Sequence, residues 1–299
     1  MINQIVLDNA DPIKIGESSS KGDQQKWIQG GYWYKADRMG YEGLSEVIVS
    51  HLLTKSNVKN FVQYEPAKIL YDGQTLTGCK SRNFRKKNEA IFTLEKLYRM
   101  VTGLSFAGYL AKLDSTQEKI QSTVEFMAMI SRIPIREVGA YLTTMLELDA
   151  FFLNEDRHTN NIAILKDDID DGFRMSPFFD FGLSLMADTT RDYQLGIDVY
   201  EKIGNIEAKP FSTSFDEQLE AAESLYGDQV KFNFTNADIE NEIHQLENYY
   251  SEDILKRVRD LLYAQKHKYR YLFGKGCAMF KNIDIMCVCV NNSKHFCIS

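Results

Sequence analysis

Two short stretches decide how the chain reads: Asn154-Glu155-Asp156-Arg157-His158-Thr159-Asn160-Asn161 and Ser176-Pro177-Phe178-Phe179-Asp180-Phe181-Gly182. The first follows a segment, Ile135 to Phe152, in which Ile135, Val138, Leu142, Met145 and Phe152 repeat at helical spacing. Pro134 suits the start of that helix. An apolar run, Ile162 to Leu165, comes next. A long helix therefore delivers a polar loop, and Asp156 and Asn161 stand five residues apart on it. A carboxylate and an amide oxygen at that spacing can work from one rigid loop. Asp180, in an Asp-Phe-Gly turn about twenty residues on, adds a second carboxylate.

This is the inventory that phosphoryl transfer from ATP requires. One carboxylate orients the attacking hydroxyl and accepts its proton, and a small set of oxygen ligands holds Mg²⁺ on the phosphates. Asp156 takes the first role; Asn161 and Asp180 take the second, since Mg²⁺ accepts a couple of protein oxygens beside phosphate and water. The Asp-to-Asn spacing is also that of the protein-kinase catalytic loop. The plainer reading makes Asp156 a cap and Asp180 a turn residue. His158 reads as a brace for the loop through ring hydrogen bonds, with contact to the γ-phosphate as the alternative. Arg157 would pair with a carboxylate or with a phosphorylated residue, and the sequence does not choose.

A lysine for the phosphates and a glutamate to hold it should lie upstream. Lys35 sits among strand-forming aromatics in Tyr32-Trp33-Tyr34-Lys35-Ala36, and a lysine facing inward on a strand needs a partner. Glu46 follows on a predicted helix, Glu42 to Thr54. It shares a face with Val49 and Leu53, while Leu44, Val47, Ile48 and Leu52 occupy another, so the helix is expected to be buried on more than one side. No Gly-x-Gly-x-x-Gly precedes Lys35. The segment Gly16 to Lys26 stands there instead, either as a phosphate loop of small residues with Lys26 adding charge, or as a plain loop.

Around these residues the first ~85 positions read as strands: a hairpin from Ile28 to Ala36 about Gly30-Gly31, and two runs, Phe61 to Tyr71 and Gln74 to Ser81, about Asp72-Gly73. After Lys87 helical spacing predominates, over Ala90 to Met100, Glu118 to Ser131, Ile135 to Phe152, Phe215 to Tyr226, Asp238 to Tyr249 and Ile254 to Phe273. The class is α+β. Residues 1–83 form a small β-rich lobe with one helix, 84–273 a larger helical lobe, and 274–299 a cysteine-rich tail expected to be poorly ordered. Adenine is expected to hang from backbone groups near Lys80, Ser81, Arg82 and Asn83, at the joint.

The net charge of −7, from 35 basic and 42 acidic residues, argues against nucleic acid as a direct partner. No run reaches the roughly 18–20 apolar residues of a membrane span. Met1 to Asp8 lacks the pattern of a signal peptide, so a cytoplasmic setting is the expectation, with secretion by another route left open. Cys277, Cys287, Cys289 and Cys297 crowd the tail at spacings of ten, two and eight, which is not the paired spacing of a zinc site.

Gly22-Asp23-Gln24-Gln25-Lys26 resembles the Gly-x-Gln-x-Lys phosphate loop of the HipA-like serine/threonine kinases. The resemblance continues through Lys35, Gly40 to Glu46, Asp156-x-His-x-x-Asn161 and Ser176 to Asp180, in the family's order over residues 16–215. It is to the short, single-chain branch, without the added N-terminal domain of the HipA toxin. It implies a bilobal protein-kinase-like fold, ATP and Mg²⁺ as cofactors, a protein serine or threonine as acceptor, and an inhibitory partner protein. It places Gly22, Gln24, Lys26 and Lys35 on the nucleotide, and autophosphorylation at Ser18, Ser19 or Ser20. Asp23 and the tail depart from the pattern. Asp-Arg-His-x-x-Asn with Asp-Phe-Gly also resembles phosphoinositide kinases, for which the basic run Lys80 to Lys87 would face the lipid. A nucleotide-binding pseudokinase that serves as an interaction module is the third reading.

Overall fold

The structure is a computed structural model in which residues 4–7 and 24–274 are described. Strands β1 (Gln4–Val6), β2 (Lys26–Gln29), β3 (Tyr32–Ala36), β4 (Tyr64–Tyr71) and β5 (Gln74–Arg82) form one sheet in the order β1-β4-β5-β3-β2. All neighbours are antiparallel except β1 with β4. Both expected hairpins are present. Gly30 and Gly31 (φ 60° and 81°) turn β2 into β3, and Asp72 and Gly73 (φ 50° and 70°) turn β4 into β5. Two positive φ values in succession are what a two-residue turn needs to match the strand twist.

One face of the sheet carries a small core of Trp27, Tyr34, Ala36, Ala67 and Ile69. Helix α1 (Glu42–Leu53) lies on the other face, and every residue of it except His51 is buried. Its two apolar sides meet the sheet and the rest of the molecule, as the sequence pattern implied. Close approach depends on two glycines. A Cβ on Gly43 would lie 2.7 Å from the Gly78 carbonyl carbon, and one on Gly78 would lie 2.0 Å from the Lys35 carbonyl oxygen.

The larger part contains α2 (Leu94–Thr102), α3 (Phe106–Leu110), α4 (Thr116–Ser131), α5 (Ile135–Phe152), α6 (Val199–Lys202), α7 (Phe215–Tyr226), α8 (Asn236–His244) and α9 (Glu252–Lys268). Helix α5 packs on α4, α7 and α9. Capping boxes at Ser115–Glu118 and Thr235–Asp238 start α4 and α8. Among the described residues, no helix is long and apolar enough to cross a membrane.

The segment expected to be helical from Ala90 to Met100 opens as a strand. β6 (Glu89–Thr93) pairs with β7 (Ala163–Asp167), which pairs with β8 (Phe173–Met175). Arg174 of β8 bonds both oxygens of Glu89 at 2.8 and 2.7 Å, and this holds the Glu89 carboxyl down at about 2. The helix begins at Leu94, capped by Thr93. Pairing with a strand some seventy residues away overrides the local helical spacing. The helix expected over Asp238 to Tyr249 ends at His244, where the chain passes into turns, and Phe61 lies before β4 as an isolated bridge to Phe178.

Candidate active site

Helix α5 ends with Leu153 in the left-handed region (φ 56°), which swings the chain into the loop 154–161. A buried fork fixes that loop. Arg157 Nε and Nη2 donate to the two oxygens of Asp149 on α5 at 2.8 and 2.9 Å, and both side chains are about 1% exposed. Asn154 Nδ2 donates to the same carboxylate at 2.8 Å. Arg157 Nη1 bonds the carbonyls of Asn161 at 3.2 Å and Phe179 at 3.0 Å, with the guanidinium 4.9 Å from the Phe181 ring centre. One side chain therefore ties the two deciding stretches together. Of the two partners the sequence left open for Arg157, the structure selects the carboxylate.

Asn161 Nδ2 donates to the Asp156 carbonyl at 3.1 Å, which turns the Asn161 amide oxygen away from that bond. The Asp156 backbone N–H is fixed by Asn154 Oδ1 at 3.3 Å. Thr159 hydroxyl donates to Glu95 in the first turn of α2, whose oxygens also receive the N–H groups of Phe106 and Ala107. The Asp156 carboxylate makes looser contacts: Lys209 Nζ lies 3.5 Å from Oδ1 and His158 Nε2 3.7 Å from Oδ2. The His158 distance exceeds a hydrogen bond, and its Nδ1 is buried without a partner among the described residues.

On the sheet side, Lys35 Nζ bonds Glu46 Oε1 at 2.5 Å and Asp180 Oδ1 at 3.1 Å, with Tyr64 hydroxyl at 3.4 Å. Glu46 Oε2 receives the Phe181 N–H at 3.0 Å, so the α1 glutamate holds both the strand lysine and the Asp-Phe-Gly backbone. Burial works against the Lys35 charge, but Asp180 and Glu46 hold it well above the ordinary lysine value. Burial likewise opposes the Asp180 charge, and Lys35 and Lys26 draw its carboxyl far below the usual range. Asp180 sits at φ 64°, a left-handed conformation that costs a non-glycine residue of order 1–3 kcal/mol and that clusters at functional sites.

The sheet register sorts the remaining residues. Lys26 is opposite Lys35, which is opposite Cys79, so the three share the cleft face. Gln24 Nε2 is buried without a partner among the described residues. Ser81 falls on the cleft face, whereas Lys80 and Arg82 point to the other, against the Tyr32 ring at 5.5 and 5.6 Å. Lys80 is also paired with Glu65 at 2.9 Å. The Asn83 N–H is bonded to the Gly31 carbonyl at 3.0 Å. The structure thus joins Lys35, Glu46 and Asp180 in one ion-pair network, sets Lys26 beside Lys35 on the same sheet face, ties the loop of Asp156 and Asn161 to the Phe179 carbonyl through Arg157, and sends the Lys80 and Arg82 side chains elsewhere. Gly22, Ser18, Ser19, Ser20 and the four tail cysteines lie outside the described residues. Sequence reasoning missed Tyr64, Asp149 and Lys209, none of which belongs to a local motif.

No protein-family profile matches the chain, and no curated protein matches it in sequence. Solved structures do match. In fold the chain is similar to a kinase. The proinflammatory kinase CtkA of Helicobacter pylori aligns with a TM-score of 0.57 at 14% identity, over 89% of this chain and 95% of that one. HipA of Shewanella oneidensis MR-1, solved with HipB and operator DNA, is a looser likeness: TM-score 0.47 and 12% identity, over 82% of this chain and 59% of that one. The likeness to CtkA is one of fold.

Proposed function

We propose that the chain is an ATP- and Mg²⁺-dependent kinase that phosphorylates serine or threonine in a protein. One observation carries the reading: Lys35, Glu46 and Asp180 form a single buried charge network that Arg157 joins to the loop bearing Asp156 and Asn161. Lys35 and Lys26 would meet the phosphates. Gln24, whose amide nitrogen has no partner among the described residues, supplies a further donor in the loop before β2. Asp156 takes the acceptor proton.

The donors present suit Mg²⁺. Asn161 offers an amide oxygen and Asp180 a carboxylate, both hard ligands. Among the described residues, no group of three or more His, Cys, Asp or Glu is placed to hold a metal, so a cation here would draw its remaining ligands from phosphate and water. Bound there, it neutralises charge that develops on the phosphates. The protein groups do the rest: Lys35 orients the phosphates, Glu46 fixes Lys35, and Asp156 aims the hydroxyl.

The test incubates the full chain with γ-labelled ATP and Mg²⁺, alone, with a protein mixture, and with phosphoinositide vesicles, and maps the label by mass spectrometry. Label on protein serine or threonine supports the reading. Label confined to lipid makes the acceptor a phosphoinositide, and ATP binding without any transfer leaves a pseudokinase. The same map reads Ser18, Ser19 and Ser20 as autophosphorylation sites.

A further inference from the structure

The Asp156 carboxylate receives a cation from a direction that no motif announces. Lys209 belongs to the segment before α7, about fifty residues beyond Asp156 in sequence, and its Nζ lies 3.5 Å from Asp156 Oδ1. Its neighbours are anchored on every side. Ala208 and Phe211 are buried at 2% and 1% exposure, and the Ala208 N–H bonds the Thr213 carbonyl at 2.8 Å. Gln218 Oε1 accepts from the N–H groups of Phe211 and Ser212, and Lys119 Nζ donates to the Phe211 carbonyl at 3.2 Å. A surface lysine held only for solubility has no need of such a platform. The side chain itself remains 39% exposed, and the Asp156 contact, at 3.5 Å, engages one of its three donors weakly.

We propose that Lys209 is a catalytic residue of this site, contacting the transferred phosphoryl group while it faces Asp156. The inference rests on the kinase reading above. A hydroxyl positioned by Asp156 must sit about 2.6–3.2 Å from its carboxylate. An ammonium 3.5 Å from the same oxygen then stands on the acceptor side of the reacting phosphorus. In the step, the acceptor oxygen forms a bond to the γ-phosphorus as the bond from that phosphorus to the β,γ-bridging oxygen breaks. The electron pair leaves on ADP, and the acceptor proton passes to Asp156. Lys209 keeps its three protons and offsets negative charge spread over the equatorial oxygens, the place where catalysis of this reaction is mostly electrostatic. Lys35 serves the nucleotide side; Lys209 serves the side on which the acceptor enters. His158 does not duplicate it, because its nearer nitrogen is 3.7 Å from the opposite oxygen of Asp156 and its ring charge depends on protonation.

Lys209→Met and Lys209→Arg, made in the full chain, separate this role from a structural one. Label transfer from ATP gives kcat and KM, nucleotide titration by thermal shift gives ATP affinity, and unliganded melting reports the fold. For Lys209→Met, kcat should fall by about 10²-fold, as for loss of one electrostatic donor. Its ATP affinity and melting temperature should stay near those of the wild type, and Lys209→Arg should recover part of the loss. A Lys209→Met kcat within threefold of the wild type overturns the proposal, and so does a loss that follows ATP affinity or melting alone. A wild-type chain that binds ATP but transfers nothing overturns the kinase reading and this inference with it.

Discussion

The two sides of the cleft are built to different tolerances. On the β3–α1 side, Lys35 and Glu46 are nearly excluded from water, bonded at 2.5 Å, and locked to Asp180 and the Phe181 N–H. On the catalytic-loop side, the backbone is equally fixed, through Arg157 and Asp149, and the Asp156 carboxylate stands 3.5 Å from Lys209 Nζ and 3.7 Å from His158 Nε2. A buried lysine left alone would lose its charge, so the nucleotide side must be paired before any ligand arrives. A base that must accept a proton from an incoming hydroxyl cannot be fully occupied beforehand. The difference fits the proposed roles: a charge cluster already paired on one side, and on the other a carboxylate proposed to accept a proton.

The contrast breaks most severely at Asp156. Asp156→Asn should reduce phosphoryl transfer by roughly 10²–10⁴-fold, the usual contribution of a general base, with the melting temperature little changed. Comparable loss of stability would place Asp156 on the scaffold side instead. Removing Arg157 tests the opposite half of the claim. Arg157→Met leaves Asp149 buried without its fork, which costs about 3–5 kcal/mol when one partner of a buried pair is deleted. Chemical denaturation should show that loss whether or not nucleotide is present. Asp180→Asn should have an intermediate effect. Saturating ATP with Mg²⁺ should raise the wild-type melting temperature by roughly 4 °C, taking about 2.7 kcal/mol at a hundredfold excess over Kd. The variant should lose the Mg²⁺-dependent part of that rise.

The smallest effect sharpens the scaffold side. His51, in the last turn of α1, presents Nδ1 to Glu242 Oε2 at 2.6 Å and Nε2 to the Tyr64 carbonyl at 3.0 Å. Both partners are acceptors, so only the doubly protonated ring satisfies both. The Glu242 hydrogen bond outweighs burial and raises the folded pKa above 6.5, with Glu65 adding to the pull. The stabilisation is therefore complete below the unfolded value and fades as pH rises through the folded one. Melting measured from about pH 6 to about pH 8 should show a decline that His51→Gln flattens. An identical decline in the variant would remove His51 as its source.

Local features were legible in the sequence because their physics is local. The two hairpin turns needed only Gly-Gly and Asp-Gly, and α5 needed its own spacing. The Lys35–Glu46 pair was legible because a strand lysine and an inward helix glutamate each lack a reason to be buried alone. What failed to show was set by register and by distant contacts. Alternation along β5 separates Lys80 and Arg82 from Ser81, but which set faces the cleft depends on pairing with β3. The strand β6 depends on β7, and Lys209 reaches Asp156 only because α7 and α4 hold its loop.

The central proposal is that Asp156 and Asp180 serve one bound nucleotide. Single-turnover transfer from γ-labelled ATP, with binding measured in parallel, tests this most directly. Asp156→Asn should bind ATP with Mg²⁺ as the wild type does and transfer almost nothing, while Asp180→Asn should lose both Mg²⁺-dependent binding and transfer. Transfer by Asp156→Asn at the wild-type rate would contradict the account.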